Sequence, residues 1–110
     1  MKLKGTRQEK EFRKALQNSS AQLRDVHSGL RQFLLSEGHA IESAIVLEAI
    51  PDQLDDEYLV LIDREYLLRV EIGKSETEGS SIVSKTLLLE YMRGLSKINQ
   101  IRLAVALDMD

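Results

Sequence analysis

Two apolar runs joined by a short charged link constrain the fold of this chain more than any other feature. Residues 57–63 and 66–72 each have the length and composition of a strand. The second run alternates, and one of its faces is formed by apolar residues: Tyr66, Leu68, Val70 and Ile72. The link contains neither glycine nor asparagine, so we predict a four-residue loop, Asp63–Tyr66, built on a type I turn rather than a tight type I′ turn. The two runs therefore predict an antiparallel hairpin.

A second pattern, over residues 7–37, predicts one long helix. Its apolar residues alternate spacings of four and three, with Ser19 as a polar member, as in a heptad seam. We call this set the helix seam: Phe12, Leu16, Leu23, Val26, Leu30 and Phe33. Thr6 and Glu9 have capping-box spacing at its start, and Gly38 suits the position after its end. Residues 18–20 are its weak point, because short polar side chains compete for backbone hydrogen bonds.

The length of this helix leads to two alternatives. Thirty-one residues at a rise of ~1.5 Å each would span about 46 Å. A compact chain of this size has a diameter of roughly 34 Å. An unbroken helix would overhang its own domain and expose the helix seam. We therefore predict either a homodimer formed through the helix seam or a break at residues 18–20 that folds the helix back.

The remaining elements complete an α+β fold in the order α-β-β-β-α-β. The 110 residues suit a single domain, residues 1–110, with residues 1–5 as a disordered arm. Ser80 or Ser81 can cap the second predicted helix, over residues 82–97. The elements beyond the hairpin and the first helix are a strand over 41–50 ended by Pro51, a helix over 82–97, and a final strand over 100–107.

Composition narrows the class of protein. There is no cysteine, which excludes disulfides, thiolate metal sites and cysteine nucleophiles and fits a reducing compartment. No apolar run reaches the ~18–20 residues that a membrane span needs, and the N-terminus lacks the apolar block of a signal peptide. We therefore expect a soluble cytoplasmic protein that does not associate with membranes.

The charges are segregated along the chain. Residues 1–35 carry eight Lys/Arg and three Asp/Glu, a net of +5, and residues 36–110 carry seven and fifteen, a net of −8. A basic helix packed against an acidic body, in the same chain or in a second copy, accounts for this pattern. A nucleic-acid arm is the other interpretation. The basic segment has no Tyr or Trp to stack on bases, so we do not expect nucleic acid as a partner.

The acidic residues around the hairpin are the one group with metal chemistry. Asp56 precedes an apolar strand, and Glu71 and then Lys74 end the next strand. Carboxylates on neighbouring strands can hold Mg²⁺, and the metal can activate water for phosphodiester hydrolysis. With the predicted element order, these residues resemble the core of the PD-(D/E)xK nucleases. The resemblance implies that Asp56 and Glu71 bind the metal and that Lys74 assists, although the family's lysine position is Gly73 here.

Two functions follow from these patterns. The first is a self-associating protein-binding or accessory module that needs no cofactor and is not an enzyme. Its assembly surface is the helix seam, and the acidic edge Asp55–Glu57 is a surface for a basic protein partner. The alternative is a Mg²⁺-dependent nuclease, or an inactive relative of one, that uses Asp56, Glu71 and Lys74.

Overall fold

Four antiparallel strands form one sheet, and helices cover both of its faces. The computed structural model describes residues 5–74 and 79–109. The strands follow one another in the sheet in chain order, and the α+β class predicted from the sequence is confirmed. The elements are α1 (Arg7–Ser20), a 3₁₀ turn (Ala21–Leu23), α2 (Gly29–Ser36), β1 (Ile45–Pro51), β2 (Asp55–Ile62), β3 (Tyr66–Gly73), β4 (Ser81–Leu87), α3 (Leu88–Met92) and α4 (Lys97–Asp108). The predicted arm, apart from Gly5, lies outside the described residues.

Each face of the sheet has its own apolar core. On the face that we call the front, α2 and the 3₁₀ turn pack on the strands, and the core includes Leu23, Leu30, Leu34, Val46, Val60, Ile62, Leu68 and Val70. On the back face, α1 and α4 pack on the strands, and the core includes Leu16, Leu47, Leu59, Leu61, Leu67, Leu103 and Val105. Because β2 is buried on both faces, its sequence is an almost continuous apolar run instead of an alternating one.

The first helix ends at Ser20, so the break alternative is confirmed and the continuous helix over 7–37 is wrong. The capping box of Thr6 and Glu9 is present at its start. At its end the serine hydroxyls reach the neighbouring strand: Ser19 Oγ donates to the carbonyl of Val46 at 2.8 Å, and Ser20 Oγ accepts from the Val46 N–H at 2.9 Å. Short polar side chains that find such partners outside the helix favour its termination.

The break divides the helix seam between the two cores, which corrects its interpretation as an assembly surface. Leu16 lies in the back core with Phe12 beside it, and Leu23 and Leu30 lie in the front core with Phe33 beside them. Val26 falls in the connection between the helices and is 61% exposed. The helix seam is therefore used to fold the chain on itself and does not form one exposed surface.

The C-terminal third differs from the predicted order. Residues predicted as a helix over 82–97 form β4 and the short α3, and residues predicted as a strand over 100–107 form α4. The β-branched residues of β4 favour a strand, and β3 offers it an edge to pair with. Ser96 caps α4 by accepting from the Asn99 N–H. A short apolar run such as 100–107 does not by itself distinguish a helix from a strand.

The hairpin is present, but its loop is shorter than predicted. Ile62 pairs with Tyr66, which leaves three loop residues, and the Glu65 N–H donates to the Ile62 carbonyl at 3.0 Å. Asp63 and Arg64 have φ angles of 52° and 57°. Positive φ at both central residues is the feature of a mirror-image turn, so the predicted type I turn over Asp63–Tyr66 is wrong. Aspartate tolerates this conformation better than arginine does.

We expect Arg64→Gly to be more stable than Arg64→Ala by about 1 kcal/mol, because glycine adopts positive φ without the clash that a Cβ introduces. Both variants lack the arginine side chain and its contacts, so their difference reports the effect of the Cβ. The free energy of unfolding in urea is the measurement. Equal stabilities, or a more stable alanine variant, would show that Arg64 is not held in the left-handed conformation in solution.

Candidate interaction surface

The two edge strands of the sheet differ in whether other parts of the chain bond to their outer backbone groups. At β1, the N–H and the carbonyl of Val46 are bonded by Ser20 and Ser19, and α1 packs along the strand. Pro51 ends the strand and has no N–H to offer. These features are ways in which proteins block an edge strand against further pairing. The β1 edge is therefore closed.

At β4 the outer edge is open. Six of its seven residues are exposed, and the other is half-buried. Within the described parts of the chain, no group outside the sheet hydrogen-bonds to the backbone of β4. Val83 forms a bulge, but residues 84–87 keep a regular register with β3. A strand edge with unpaired donors and acceptors can accept another strand.

The lysine that could protect this edge is turned away from it. Lys85 is the one charged residue of β4, and a charged side chain on an edge strand normally hinders pairing. Its Nζ lies 4.3 Å from the centre of the Tyr66 ring on β3. The Tyr66 hydroxyl is in turn 2.8 Å from Nδ1 of His39. The cation–π contact draws the ammonium over the sheet and away from the edge.

Exposed apolar side chains concentrate around this edge. Among the described residues, ten large apolar side chains are exposed, and six of them lie between residues 82 and 98: Ile82, Val83, Leu87, Leu89, Met92 and Ile98. Leu87 is both the last residue of β4 and the N-cap of α3, so the strand leads directly into the helix. Apolar side chains gathered in one region indicate an interaction site more strongly than scattered ones do.

A groove lies next to this surface, between α3 and α4. It has a volume of about 580 Å³ and is lined by Met92, Leu95, Gln100, Leu103, Ala104, Leu107 and Asp108. Its polar groups are already bonded within the chain: the Gln100 amide donates to the Leu95 carbonyl at 3.1 Å, and Arg13 donates to the Asp108 carboxylate. We call it the α3–α4 groove. Its lining therefore combines apolar side chains with two polar groups that keep exposed surface, the Gln100 amide and the Asp108 carboxylate.

The polar side chains at one end of the back face are bonded to one another. Arg102 forms an ion pair with Glu48 at 3.5 Å and lies over the ring of Phe12, 5.3 Å from its centre. Burial raises the pKa of the Tyr91 hydroxyl, and the charge of Glu48 adds to that rise. A tyrosine held in its neutral form beside paired charges does not supply a general base.

The residues predicted from the nuclease resemblance do not form one site. Asp56 pairs with Ile72 and lies on the front face, whereas Glu71 pairs with Glu57 and lies on the back face. Lys74 contacts Asp56, with 3.4 Å between Nζ and Oδ1. The two predicted metal ligands therefore point to opposite sides of the sheet, and the predicted Mg²⁺ site is not assembled.

The length of the hairpin loop explains this separation. A four-residue loop over Asp63–Tyr66 would pair Ile62 with Leu67 and place Asp56 and Glu71 on the same face. The observed loop pairs Ile62 with Tyr66 instead. Because side chains alternate along a strand, a shift of register by one residue moves one member of the pair to the other face.

Sequence reasoning missed a different pair of carboxylates. Glu57 and Glu71 face each other directly across β2 and β3, and counting residues outward from the observed turn would have found them. Arg69 Nη1 lies 3.0 Å from Glu57 Oε1. In residues 5–74 and 79–109, no three His, Asp or Glu side chains come together as a metal ion would require. Arg69 therefore neutralises part of the negative charge of this pair.

The acidic edge predicted for a basic partner is the first part of β2. Its three residues, Asp55–Glu57, are each half-buried and alternate between the two faces. The Asp56 Oδ1 is buried with no hydrogen bond, and the Lys74 ammonium lies nearby; Glu57 pairs with Arg69. This edge therefore offers a basic partner fewer free charges than its sequence indicated.

Comparison of the chain with protein-family models, with curated proteins and with solved structures found no match. None of the helices in the described residues has the length and apolar character needed to cross a membrane.

Proposed function

We propose that this protein is a self-associating interaction module in which two copies join through their β4 edges. The observation that carries the proposal is the contrast between the edges: β1 is closed by Ser19, Ser20 and Pro51, whereas β4 is open and surrounded by apolar side chains. Pairing would extend two four-stranded sheets into one of eight strands.

A second copy suits this edge because β4 can pair with an antiparallel copy of itself. Two antiparallel copies of one strand are related by a two-fold axis, which is the commonest symmetry of protein dimers. A register centred on Ser84 or Thr86 pairs hydroxyl side chains across the axis, and such pairs are favourable. In both registers Lys85 faces an apolar residue of the second copy rather than the other Lys85, so like charges are not directly opposed.

The expected association is reversible. Ile82, Val83, Leu87 and Leu89 would lose their remaining exposed surface, and new strand hydrogen bonds would add about 0.5–1.5 kcal/mol each. Joining two molecules opposes this with an entropic cost of at least about 4 kcal/mol. Setting these gains against that cost, we expect a dissociation constant on the order of tens of micromolar.

The nuclease alternative has no comparable support. It requires Asp56 and Glu71 to share a metal ion, and the two residues lie on opposite faces of the sheet. It stays a prediction from the resemblance.

Val83→Lys tests the proposal. A lysine at an open edge opposes strand pairing, so this variant should remain monomeric at all concentrations. Ile50→Lys is the matched control, because it places the same residue on the closed edge at a side chain of nearly equal exposure, 48% against 51% for Val83. Sedimentation velocity from about 5 to 500 µM covers the expected dissociation constant.

We expect the wild-type chain and Ile50→Lys to shift from monomer to dimer over this range. A wild-type protein that stays monomeric throughout contradicts the proposal. A dimer that Val83→Lys leaves unchanged would contradict it as well, because the copies would then meet through another surface.

A further inference from the structure

We propose that a cavity beside β1, between the end of α1 and the start of α2, binds a small phosphate ester. We call it the arginine cavity. It has a volume of about 430 Å³, and its wall consists of Gln17, Ser20, Leu23, Arg24, Arg31, residues 41–45 and Met109. Because β1 and β4 are opposite edges of the sheet, the inference is independent of the proposed dimer.

Two arginines in this wall lack the acidic partners that other arginines of the chain have. Four arginines form an ion pair with a glutamate or an aspartate: Arg7, Arg13, Arg69 and Arg102. Within residues 5–74 and 79–109, Arg24 and Arg31 form no such pair. A basic helix packed against an acidic body, the interpretation drawn from the sequence, accounts for Arg13 and leaves these two positive charges unexplained.

The Arg31 side chain is positioned by the protein. Its Nη1 donates to the Leu23 carbonyl at 2.6 Å, and the residue is half-buried. A guanidinium group has five N–H donors in one plane, so most of them remain after this bond. Removing a cation from water without a counter-charge is unfavourable. An anion in the arginine cavity would supply that counter-charge, and the exposed Arg24 would be its second cationic partner.

The polar groups around the two arginines are mainly hydrogen-bond donors. Ser20 Oγ accepts from the Val46 N–H, which leaves its own O–H to donate. The N–H groups of Glu42 and Ser43, in the turn before β1, form no hydrogen bond within the described part of the chain. Backbone N–H groups of turns are favourable partners for anions. Three acceptor oxygens and about two negative charges make a phosphate ester a better match than a carboxylate.

One carboxylate in the wall, that of Glu42, opposes an anion. Two arginines and one glutamate give the wall a net charge of +1. Glu42 is exposed and, among the described residues, is not paired with either arginine, so water screens its charge. Asp25, the neighbour of Arg24, is not part of the wall, and its Oδ1 accepts from the His27 N–H. The wall therefore favours an anion, and Glu42 limits the affinity.

The other side chains of the wall favour an ester over a free phosphate ion. They are apolar: Leu23, Ile41, Ala44, Ile45 and Met109. Binding sites for small molecules commonly combine apolar walls with a few polar groups that fix the orientation of the ligand. An ester with an apolar substituent would contact both parts of the wall, whereas a phosphate ion would contact only the donors.

Phenyl phosphate, inorganic phosphate and benzoate are the probes, each titrated into the protein in a phosphate-free buffer. Amide NMR spectra should show saturable shifts at Glu42 and Ser43 with phenyl phosphate. Inorganic phosphate should shift the same amides with about tenfold weaker affinity, because it leaves the apolar wall uncovered. Benzoate should also bind about tenfold more weakly, because it has one charge and two oxygens. Equal affinity for either of these two probes, or shifts that do not saturate, overturns the proposal.

Three protein variants decide the assignment. Arg24→Gln should weaken phenyl phosphate binding about tenfold, as the loss of a hydrogen bond from a charged donor does. Glu42→Gln should tighten it about threefold, because it removes a screened repulsion. Arg93→Gln is the matched control, since this exposed arginine lies outside the wall, and its affinity should equal that of the wild type. All three positions are exposed, so circular dichroism should show an unchanged fold. Unchanged affinity in Arg24→Gln, or in Glu42→Gln, contradicts the assignment.

The outcome is separable from that of the proposed dimer. The Val83→Lys protein should bind phenyl phosphate as the wild type does, whether or not the wild type dimerises. Weaker binding in Val83→Lys would mean that a second copy completes the arginine cavity, and the inference of an independent site would fail.

Discussion

Leu23→Asp is expected to unfold this protein, whereas Val26→Asp, three residues further along the helix seam, is expected to leave it folded. Leu23 is 4% exposed and lies in the front core with Leu30 and Val60, and Val26 is 61% exposed. Burying a carboxylate without a partner costs several kcal/mol, and a core change of this kind exceeds about 4 kcal/mol. Small domains have only about 5–15 kcal/mol of stability.

Urea unfolding followed by circular dichroism measures both variants. Val26→Asp should fall within about 0.5 kcal/mol of the wild type, as surface changes usually do. The comparison distinguishes a role of the helix seam in the core from a role in assembly. If Leu23→Asp stayed folded and only lost a dimer, the helix seam would be an assembly surface after all, and the assignment of Leu23 to the front core would fail.

The local features of the fold could be predicted because they depend on few residues. The capping box of Thr6 and Glu9 is present, and Gly38 has the positive φ expected after a helix end. The hairpin over β2 and β3 also follows from its apolar runs. Each of these is set by side-chain chemistry within a few positions.

Features that depend on tertiary contacts could not be predicted from the sequence patterns. Whether 82–87 becomes a helix or a strand depends on the free side of β3, to which β4 pairs. The same holds for α4, whose Leu103 and Ala106 pack in the back core. Tertiary contacts of this kind routinely override local preference.

The candidate site was missed for a related reason. An apolar side chain in the sequence is assigned to the core by default, since most of them are buried there. Six such residues between 82 and 98 are instead exposed. Only the strand order, with β4 at an edge, shows which apolar residues have no neighbours in the chain.

The serines that end α1 connect the helix break to the closed edge, and their loss should have the second large effect. Val46 is fully buried, and its N–H and carbonyl are bonded by the hydroxyls of Ser20 and Ser19. A buried backbone group without a partner costs about 1–3 kcal/mol. The double variant Ser19→Ala and Ser20→Ala should therefore lose about 3 kcal/mol, even though alanine favours the helix itself.

Asn18→Ala is the control, because Asn18 is the exposed neighbour in the same polar stretch and its replacement should change stability by less than about 0.5 kcal/mol. Urea unfolding gives the free energies, and hydrogen exchange at the Val46 amide reports the edge directly. We expect that amide to exchange at least tenfold faster in the double variant. Unchanged exchange would mean that the serines do not close the β1 edge, and the contrast between the two edges on which the proposed dimer rests would lose its physical basis.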